Sequence, residues 1–424
     1  MNQLASQFHK QKVLVFGLGL QGGGLGDVRW LHEHGALVRI TDKKKEVELT
    51  ASLKELPTGI ELSLGEHRDE DIDWADVVIK NPGVADTETH ILRAKEEGKP
   101  VYTSIALVVQ ELRDKVIGIT GTRGKSTTTE LIYQVMNQAY PGQVIKGGNV
   151  PGTSSFALLN QADDCKYLVL ELSSFQLHNF HDLKVSPHVA VLTNVYPDHL
   201  NRYPSMVEYQ EDKEAIFRYQ KPGDIAIRQV HALQVPSSWK ISLPGSHNRE
   251  NVATVLAVAD ALGIAESVVK NIVENFHGLP FRHETIATKQ GVIYINDTTS
   301  TTPTATIKAV EATSSPTILI LGGDTKKLPY EQMIKVVASN QFVKHIILLG
   351  SRNIPEFVAD LKHACASKIL LQVDSMQEAV NLAAGTAKPG DTVLLSPGFA
   401  SFDLYKNEFD RGQQFNEWVH KLPS

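Results

Sequence analysis

Short apolar segments separated by polar stretches run along the N-terminal part of the chain. The apolar segments cover residues 12–17, 36–40 and 76–80, and a stretch carrying Trp30 and Leu31 between the first two is typical of a helix. Strands that alternate with helices in this way form parallel sheets covered on both faces. The pattern therefore predicts a doubly wound α/β fold at the N-terminus.

The same alternation continues to the C-terminus. Further strands are predicted at residues 116–120, 167–171, 189–193, 224–228, 292–296, 317–322, 346–350 and 392–396. A helix is predicted over residues 204–219. The segment 244–251 is predicted to lead into a second helix, rich in Ala, Val and Leu, that ends near Leu262 and Gly263. The simplest arrangement is three α/β domains in series, with predicted bounds of 1–103, 104–278 and 279–424.

The glycine-rich segment after the strand at 116–120 carries the strongest chemical signal. Gly124, Lys125 and Ser126 stand between that strand and a predicted helix. Glycines let backbone N–H groups approach a polyphosphate, and a helix N-terminus adds partial positive charge. Lys125 is expected against the β- and γ-phosphates, and the Ser126 hydroxyl on Mg²⁺. The usual pattern has a first glycine where this chain has Ile119, so the segment predicts a variant phosphate loop.

A second glycine-rich turn follows the first predicted strand. Gly17, Gly19 and Gly22 match G-x-G-x-x-G, and Asp42 stands at the distance expected for a residue that contacts a ribose. Glycines also occur at strand–helix turns for packing reasons, so the motif alone does not choose the ligand. It favours a nucleotide-type ligand, with NAD as the weaker alternative.

Composition excludes several classes of protein. The 424 residues suffice for two or three domains, and a net charge of −6 argues against a nucleic-acid-binding surface as the main activity. Cys165 and Cys365 stand far apart without metal-site spacing, as expected in a reducing cytoplasm. Residues 1–12 lack the apolar core of a signal peptide, and no apolar run reaches the roughly 18 residues of a membrane span. We expect a cytoplasmic protein without membrane insertion.

Residues suited to metal binding or proton transfer stand at the predicted carboxyl ends of strands, where open parallel sheets place their ligands. Glu171 is positioned to hold Mg²⁺, and His199 to act as a metal ligand or proton carrier. Segments 296–302, 322–324 and 396–401 end three strands of the last domain. We expect these three segments to share one rim.

Eight segments together resemble the Mur ligases, in order and at the spacing of that family. They are residues 121–127, 171–177, 198–204, 245–251, 278–282, 296–297, 321–324 and 396–401. The segment Glu-Leu-Ser-Ser-Phe-Gln-Leu at 171–177 is similar to the branch that joins glutamate to UDP-N-acetylmuramoyl-L-alanine. The resemblance covers essentially the whole chain.

The resemblance implies a fold and an activity. The N-terminal domain is expected to be Rossmann-like and to bind the UDP substrate, the central domain P-loop ATPase-like, and the C-terminal domain Rossmann-like. The implied activity is an ATP-dependent amide ligase of peptidoglycan precursor synthesis, which adds D-glutamate through an acyl phosphate. ATP and two Mg²⁺ ions are the implied cofactors. We expect a monomer whose partners are its small-molecule substrates.

The resemblance also assigns roles to residues by motif position. The catalytic set is Lys125, His199 and Lys213, the last as a carbamylated lysine. The Mg²⁺ ligands are Ser126, Glu171, His199 and carbamylated Lys213. The ATP-binding set is Gly121, Thr122, Gly124, Lys125, Ser126, Thr127, Asn248, Asn251, Arg282, Asp297 and Asp324. The UDP-substrate set is Leu20, Gln21, Asp42, Asn81, Gly83 and Asn149, and the glutamate set is Thr299, Ser401 and Phe402.

Two positions depart from the family pattern. Many members carry a lysine where this chain has Thr299, and an aromatic residue where it has Glu408. That lysine meets the side-chain carboxylate of the incoming glutamate, and a charge-assisted hydrogen bond of this kind is worth roughly 1.5–3 kcal/mol. The D-isomer therefore follows from the family and not from these residues, and L-glutamate stays open. A folate:glutamate ligase, an NAD-linked oxidoreductase and a nucleotide switch are the more distant alternatives.

Overall fold

The computed structural model describes residues 3–19, 22–150, 154–196, 198, 202–228, 235–241, 243, 246–276, 278–324, 328–352, 354–401 and 404–423. The chain divides into two compact units, Met1–Phe276 and His277–Ser424. The first unit contains two parallel sheets and the second contains one mixed sheet.

The first sheet uses the N-terminal strands. They are β1 (Lys12–Phe16), β2 (Leu37–Asp42), β3 (Glu61–Leu64), β4 (Val77–Lys80) and β5 (Val101–Tyr102). The accompanying helices are α1 (Gln3–Phe8), α2 (Gly23–Glu33), α3 (Glu46–Leu53), α4 (Asp69–Trp74), α5 (Thr89–Glu96) and α6 (Ser104–Leu112). The strand order is β3-β2-β1-β4-β5, with every pairing parallel. This doubly wound order opens a crevice at the carboxyl ends of β1 and β4.

The second sheet forms the rest of the first unit. Its strands are β6 (Val116–Thr120), β7 (Val144–Gly148), β8 (Tyr167–Glu171), β9 (Val189–Leu192) and β10 (Ile225–Arg228). Its helices are α7 (Lys125–Ala139), α8 (Ser174–Leu183), α9 (Met206–Arg218), α10 (Ser246–Ala261) and α11 (Glu266–Asn275), with 3₁₀ turns at Arg113–Lys115 and Phe156–Gln161. The order is β10-β9-β6-β8-β7, again all parallel. The central strand β6 is buried throughout and leads into the phosphate loop.

One hydrophobic core extends across the two sheets of the first unit. The Trp30 indole stacks on Phe156 with ring centroids 4.8 Å apart, and its Nε1 donates to Asn160 Oδ1 over 3.0 Å. Beside them, the Ser154 hydroxyl donates to the buried Asp27 carboxylate over 2.7 Å. Helix α2 of the first sheet is thereby fixed to the segment that precedes β8, so the two sheets share their interior.

The second unit is built on six strands. They are β11 (Glu284–Lys289), β12 (Val292–Asn296), β13 (Thr317–Gly322), β14 (Val343–Leu349), β15 (Ile369–Val373) and β16 (Thr392–Gly398). The helices are α12 (Pro303–Glu311), α13 (Glu331–Ser339), α14 (Pro355–Cys365), α15 (Met376–Thr386) and α16 (Glu408–His420). The order is β11-β12-β16-β13-β14-β15, and only the β11–β12 pairing is antiparallel among these strands.

The α/β prediction is confirmed by these three sheets. Strands at 116–120, 167–171, 292–296 and 317–322 have the predicted bounds, and the other predicted strands differ at the ends by a few residues. The predictions omitted β3, β5, β7, β11 and β15. Across the described residues, no helix has the length and apolar character of a membrane span.

Candidate active site

The phosphate loop joins the carboxyl end of β6 to the first turn of α7. Gly124 has φ of 80° at the N-cap of α7, a left-handed conformation that side chains rarely adopt. A Cβ atom there would also collide with the side-chain amide of Asn251. The helix begins at Lys125, and Ser126 and Thr127 stand half-buried in its first turn. The strand–loop–helix order predicted for phosphate binding is confirmed.

Lys125 folds back over this loop. Its Nζ donates to the carbonyl oxygens of Gly121 over 3.0 Å and Thr122 over 3.2 Å. The Thr122 hydroxyl is buried against the Tyr209 hydroxyl at 3.1 Å, and its backbone N–H donates to Asn194 O over 2.9 Å. The loop is thus held on both sides, and contact of Lys125 with a polyphosphate stays a prediction.

Lys213 on α9 also contacts the phosphate loop. Its side chain is 1% exposed, and its Nζ donates to Gly121 O over 2.9 Å. Burial, reinforced by the nearby charge of Lys125, lowers the pKa of Lys213 to about 7, although Asp198 and Asp212 oppose the shift. A substantial neutral fraction of this amine at neutral pH follows from that environment.

Glu171 ends β8 beside the strand that supplies the loop. It is 5% exposed and pairs in register with Ile119 of β6. Asn149 follows the neighbouring strand β7, where its Nδ2 donates to Glu171 Oε1 over 3.4 Å and its backbone N–H to Glu171 O over 2.7 Å. Ser126 and Glu171 offer the hard oxygen donors that Mg²⁺ prefers, so their chemistry fits this ion. Among the described residues, no three His, Cys, Asp or Glu side chains form a metal-binding group.

Helix α10 brings two amide side chains toward the loop. Thr128 of α7 donates to Asn251 Oδ1 over 3.4 Å, and Asn251 Nδ2 donates to Asn248 Oδ1 over 3.2 Å. Asn251 is therefore adjacent to Gly124, at the start of α7. Whether Asn248 and Asn251 bind the adenine side of ATP stays a prediction.

The first glycine-rich turn lies at the crevice of the N-terminal sheet. The backbone N–H of Gly19 donates to Asp42 Oδ2 over 3.2 Å, and that of Gly83 donates to Asn81 Oδ1 over 2.8 Å. A Cβ atom on Gly19 would stand 3.0 Å from Asn81 Nδ2. The turn is therefore in contact with the loop between β4 and α5, residues 81–88, which we call the Asn81 loop. The structure brings together three of the residues proposed for the UDP end, Asp42, Asn81 and Gly83, whereas Asn149 lies on the second sheet.

Three strand ends meet in the second unit, as predicted. Asp297 Oδ2 accepts from the hydroxyls of Ser300 over 2.6 Å and Ser396 over 2.7 Å, and burial raises the pKa of this carboxyl. Asp324 forms a β-bridge with Ala400. The segments after β12, β13 and β16 therefore share one rim.

The proposed glutamate residues differ in their surroundings. The Thr299 hydroxyl donates to Phe281 O over 2.8 Å, so it is already engaged. The Ser401 hydroxyl is buried and has no hydrogen-bond partner among the described residues.

Arg282, from the proposed ATP-binding set, is exposed in the turn before β11. Four predicted site residues lie outside the described residues: Leu20, Gln21, His199 and Phe402.

Comparison with known families agrees with this arrangement. Residues 11–103 match the description "Mur ligase MurD-like, N-terminal domain", residues 119–233 "Mur ligase middle domain", and residues 281–399 "Mur ligase, glutamate ligase domain". A curated relative from Roseiflexus sp. (strain RS-1) is 32% identical, with 98% of this chain and 100% of the relative covered. The chain belongs to the Mur ligase family. Its three domains in series confirm the predicted fold class.

Other Mur ligases give the same picture. The Roseiflexus relative and one from Borreliella burgdorferi (strain B31) are both named UDP-N-acetylmuramoylalanine--D-glutamate ligase, and the second is 32% identical with 99% of this chain and 100% of the relative covered. The solved UDP-N-acetylmuramate-alanine ligase of Thermotoga maritima has a TM-score of 0.60 at 18% identity, covering 97% and 99% of the two chains. The MurF ligase of that organism, solved with ADP, has a TM-score of 0.53 at 17% identity, covering 98% and 97%. These two structures share the fold.

One organising residue of this Mur ligase was missed from its sequence. Arg411 on α16 is 1% exposed and donates through Nε to Thr298 Oγ1 over 3.0 Å. Its Nη1 donates to the carbonyl oxygens of Phe399 over 3.2 Å and Ala400 over 3.3 Å. The guanidinium thus joins two of the loops on the shared rim. A single arginine in a polar helix gives no sequence signal of burial.

Proposed function

We propose that this Mur ligase joins D-glutamate to UDP-N-acetylmuramoyl-L-alanine, using ATP, in peptidoglycan precursor synthesis. The observation that carries the proposal is the match, over nearly the full chain, to relatives named as that ligase. The phosphate loop at Gly124 and Lys125 supports the nucleotide half of the reaction. We further propose a cytoplasmic monomer with working domains at 1–103, 104–278 and 279–424.

The chemistry explains why a nucleotide is needed. A carboxylate is a poor electrophile until one of its oxygens becomes part of a leaving group. Transfer of the γ-phosphoryl group of ATP to the alanyl carboxylate gives an acyl phosphate and ADP. The neutral amine of glutamate then attacks the carbonyl carbon, and the tetrahedral intermediate loses phosphate to leave the amide and a proton.

Lys125 and the loop amides serve the first of these steps. Phosphoryl transfer depends mainly on positioning and on neutralising charge around the phosphates. We propose that Lys125 turns from the carbonyl oxygens of Gly121 and Thr122 toward the phosphates when ATP binds. Gly121, Thr122, Gly124, Ser126 and Thr127 supply the surrounding loop contacts.

Mg²⁺ would be held by the Ser126 hydroxyl and the Glu171 carboxylate, with His199 and a carbamylated Lys213 as further ligands. When bound, Mg²⁺ neutralises phosphate charge and orients the phosphates for in-line transfer. Lys213 becomes an oxygen donor only after its neutral amine adds to CO₂ and releases a proton. A pKa of about 7 in the folded protein supports that modification, because neutral amine is then available.

The remaining substrate contacts follow the strand ends. The crevice formed by the Gly19 turn, Asp42, Asn81 and Gly83 would receive the uridine end, together with Leu20 and Gln21, and Asn149 would contact the substrate nearer the acyl end. We therefore favour UDP over NAD for the first glycine-rich turn. Asn248, Asn251, Arg282, Asp297 and Asp324 complete the proposed ATP contacts.

Glutamate would lie near Thr299, Ser401 and Phe402. The buried Ser401 hydroxyl is available as a donor, whereas the Thr299 hydroxyl is engaged with Phe281 O. The names of the relatives favour D-glutamate over L-glutamate.

The test is turnover with defined substrates. The protein is incubated with ATP, Mg²⁺ and UDP-N-acetylmuramoyl-L-alanine, with D- or L-glutamate in parallel, and phosphate release and product mass are measured. Release that requires D-glutamate supports the proposal, and release with L-glutamate alone would retain the ligase but reverse the stereochemistry. Release with neither isomer would refute the ligase proposal, provided that the protein binds ATP. A folate substrate in place of the UDP substrate tests the remaining ligase alternative.

A further inference from the structure

A chain of polar contacts connects the N-terminal sheet of the first unit with helix α9. It begins at Lys80, the last residue of β4, whose side chain is 1% exposed. Lys80 Nζ donates to Asp86 Oδ2 over 2.7 Å and to Val84 O over 3.2 Å. Lys95 donates to the other oxygen of Asp86 over 2.9 Å. Asp86 is therefore fixed in the loop that also contains Asn81 and Gly83.

His178 continues this chain from α8. Its Nε2 lies 3.7 Å from Asp86 Oδ2, and its Nδ1 lies 3.0 Å from Asp212 Oδ1. Asp212 is 6% exposed and precedes Lys213 on α9. One imidazole thus spans two carboxylates, one beside the Asn81 loop and one beside the lysine under the phosphate loop.

A second connection supports the same segment. Arg202 Nη1 donates to Gly83 O over 3.0 Å, and its guanidinium lies 4.5 Å from the centroid of the Phe175 ring. Phe175 stacks on Tyr203 with centroids 5.6 Å apart, and the Tyr203 hydroxyl donates to Asp212 Oδ2 over 2.8 Å. Both connections from the Asn81 loop therefore converge on Asp212.

We infer that His178 is a positioning residue. Its contacts with Asp86 and Asp212 hold the Asn81 loop against α9, so that this loop and the Lys213 side chain keep one arrangement. The link to the UDP substrate rests on the proposed function. Within the described part of the chain, the hydrogen bonds and ion pairs of His178 reach Asp86 and Asp212 and none of the proposed substrate contacts, so His178 acts through these two carboxylates. Removal of the His178 side chain should make the Asn81 loop more mobile without disturbing the phosphate loop directly.

His181 provides a matched control on the same helix. Its Nε2 also approaches Asp212 Oδ1, at 3.7 Å, and its Nδ1 lies 3.0 Å from the Tyr219 hydroxyl. Neither contact leads to the N-terminal sheet. His178→Ala and His181→Ala therefore remove the same side chain near Asp212, but only His178→Ala removes the contact with Asp86.

Hydrogen exchange tests whether His178 holds the Asn81 loop against α9, and it does not require turnover. In His178→Ala, backbone amides of residues 83–88 should exchange at least threefold faster than in the wild type, while His181→Ala keeps the wild-type rate there. Equal rates in all three proteins, or equal acceleration in both variants, would overturn the inference. This readout stays decisive even if the UDP substrate proves to be wrong.

Steady-state kinetics test the consequence for substrate binding. His178→Ala should raise KM for UDP-N-acetylmuramoyl-L-alanine roughly three- to fivefold, the range of a partly exposed ion pair, and leave KM for ATP within about twofold. His181→Ala should change neither by more than about twofold. Equal increases in both KM values for His178→Ala would indicate general loosening and contradict a positioning role. Absence of wild-type turnover would instead count against the proposed function.

Discussion

The Nζ atom of Lys213 donates a hydrogen bond to the carbonyl oxygen of Gly121, 2.9 Å away. Lys125 Nζ donates to the same oxygen over 3.0 Å. Two lysine side chains thus converge on one peptide carbonyl of the phosphate loop. Their mutual repulsion adds to the effect of burial on Lys213, and this crowding is relieved when Lys213 is neutral.

The buried Lys213 should make stability depend on pH. Its pKa of about 7 in the folded protein is below the value near 10.4 of an unfolded lysine, so the folded state binds fewer protons between these values. The free energy of unfolding should therefore rise from pH 7 toward pH 10 in the wild type. Lys213→Met removes this dependence, so the variant should be more stable than the wild type at pH 7, by a margin that shrinks as pH rises.

Urea unfolding of the wild type and Lys213→Met at several pH values measures this margin. Lys221→Met, at an exposed lysine, serves as the control and should follow the wild-type pH dependence. A difference between the wild type and Lys213→Met that stays constant from pH 7 to pH 10 would contradict the assigned protonation behaviour.

Lys125→Ala should abolish turnover but preserve binding of the UDP substrate. Removal of a cation from the phosphate loop raises the barrier to phosphoryl transfer, whereas the Asn81 loop keeps its own contacts. Phosphate release measures the first effect and calorimetric titration with UDP-N-acetylmuramoyl-L-alanine measures the second. Turnover within tenfold of the wild type would show that Lys125 does not neutralise the transferring phosphate.

Asp42→Asn should raise KM for the UDP substrate about tenfold and change kcat less than about twofold. The loss of one charge-assisted hydrogen bond corresponds to roughly 1.5 kcal/mol. The amide oxygen can still accept from Gly19 N–H, but the amide nitrogen then replaces the oxygen that accepts from Lys44 N–H over 2.9 Å. Initial rates at varied UDP substrate provide the measurement.

Asp76, in the same sheet, provides the control for Asp42→Asn. Asp76 Oδ2 accepts from Lys12 N–H over 2.9 Å at the opposite ends of the strands, away from the crevice. Asp76→Asn should therefore leave KM for the UDP substrate unchanged. An equal rise in both variants would mean that KM reports on the sheet rather than on a contact between Asp42 and ribose.

The elements that sequence predicted well are those whose chemistry is local. Buried strands such as β6 and β13 are continuous apolar runs, and the glycine at 124 marks a turn that only glycine accommodates easily. The omitted strands β3, β5, β7, β11 and β15 all lie at sheet edges, although the edge strand β10 was predicted. All four residues of β3 are exposed or half-buried, so its sequence lacks the apolar signal that identifies a strand.

Tertiary relationships account for the site features that were missed. The register between Ile119 and Glu171 brings two distant segments together, and sequence patterns indicated only their place at strand ends and in family motifs, not this pairing. The burial of Arg411, and the bridge from His178 to Asp86 and Asp212, depend on packing between elements. Short-range sequence patterns do not contain that information.

Thr299 raises the question of how the side-chain carboxylate of glutamate is held. Its hydroxyl donates to Phe281 O, so Thr299→Val should change KM for glutamate less than about twofold. Thr299→Lys adds a cation at the position where many family members carry one, and it should lower that KM about tenfold, the equivalent of about 1.4 kcal/mol. Thr299→Met supplies similar bulk without charge and separates the two effects.

Initial rates at varied D-glutamate measure all three variants. A lower KM in Thr299→Lys alone would place the glutamate side chain beside residue 299 and show that the natural site manages without this cation. Equal KM values for Thr299→Lys and Thr299→Met would mean that the carboxylate lies elsewhere on the rim. The buried Ser401 hydroxyl would then be the residue to alter next, because it has no hydrogen-bond partner among the described residues.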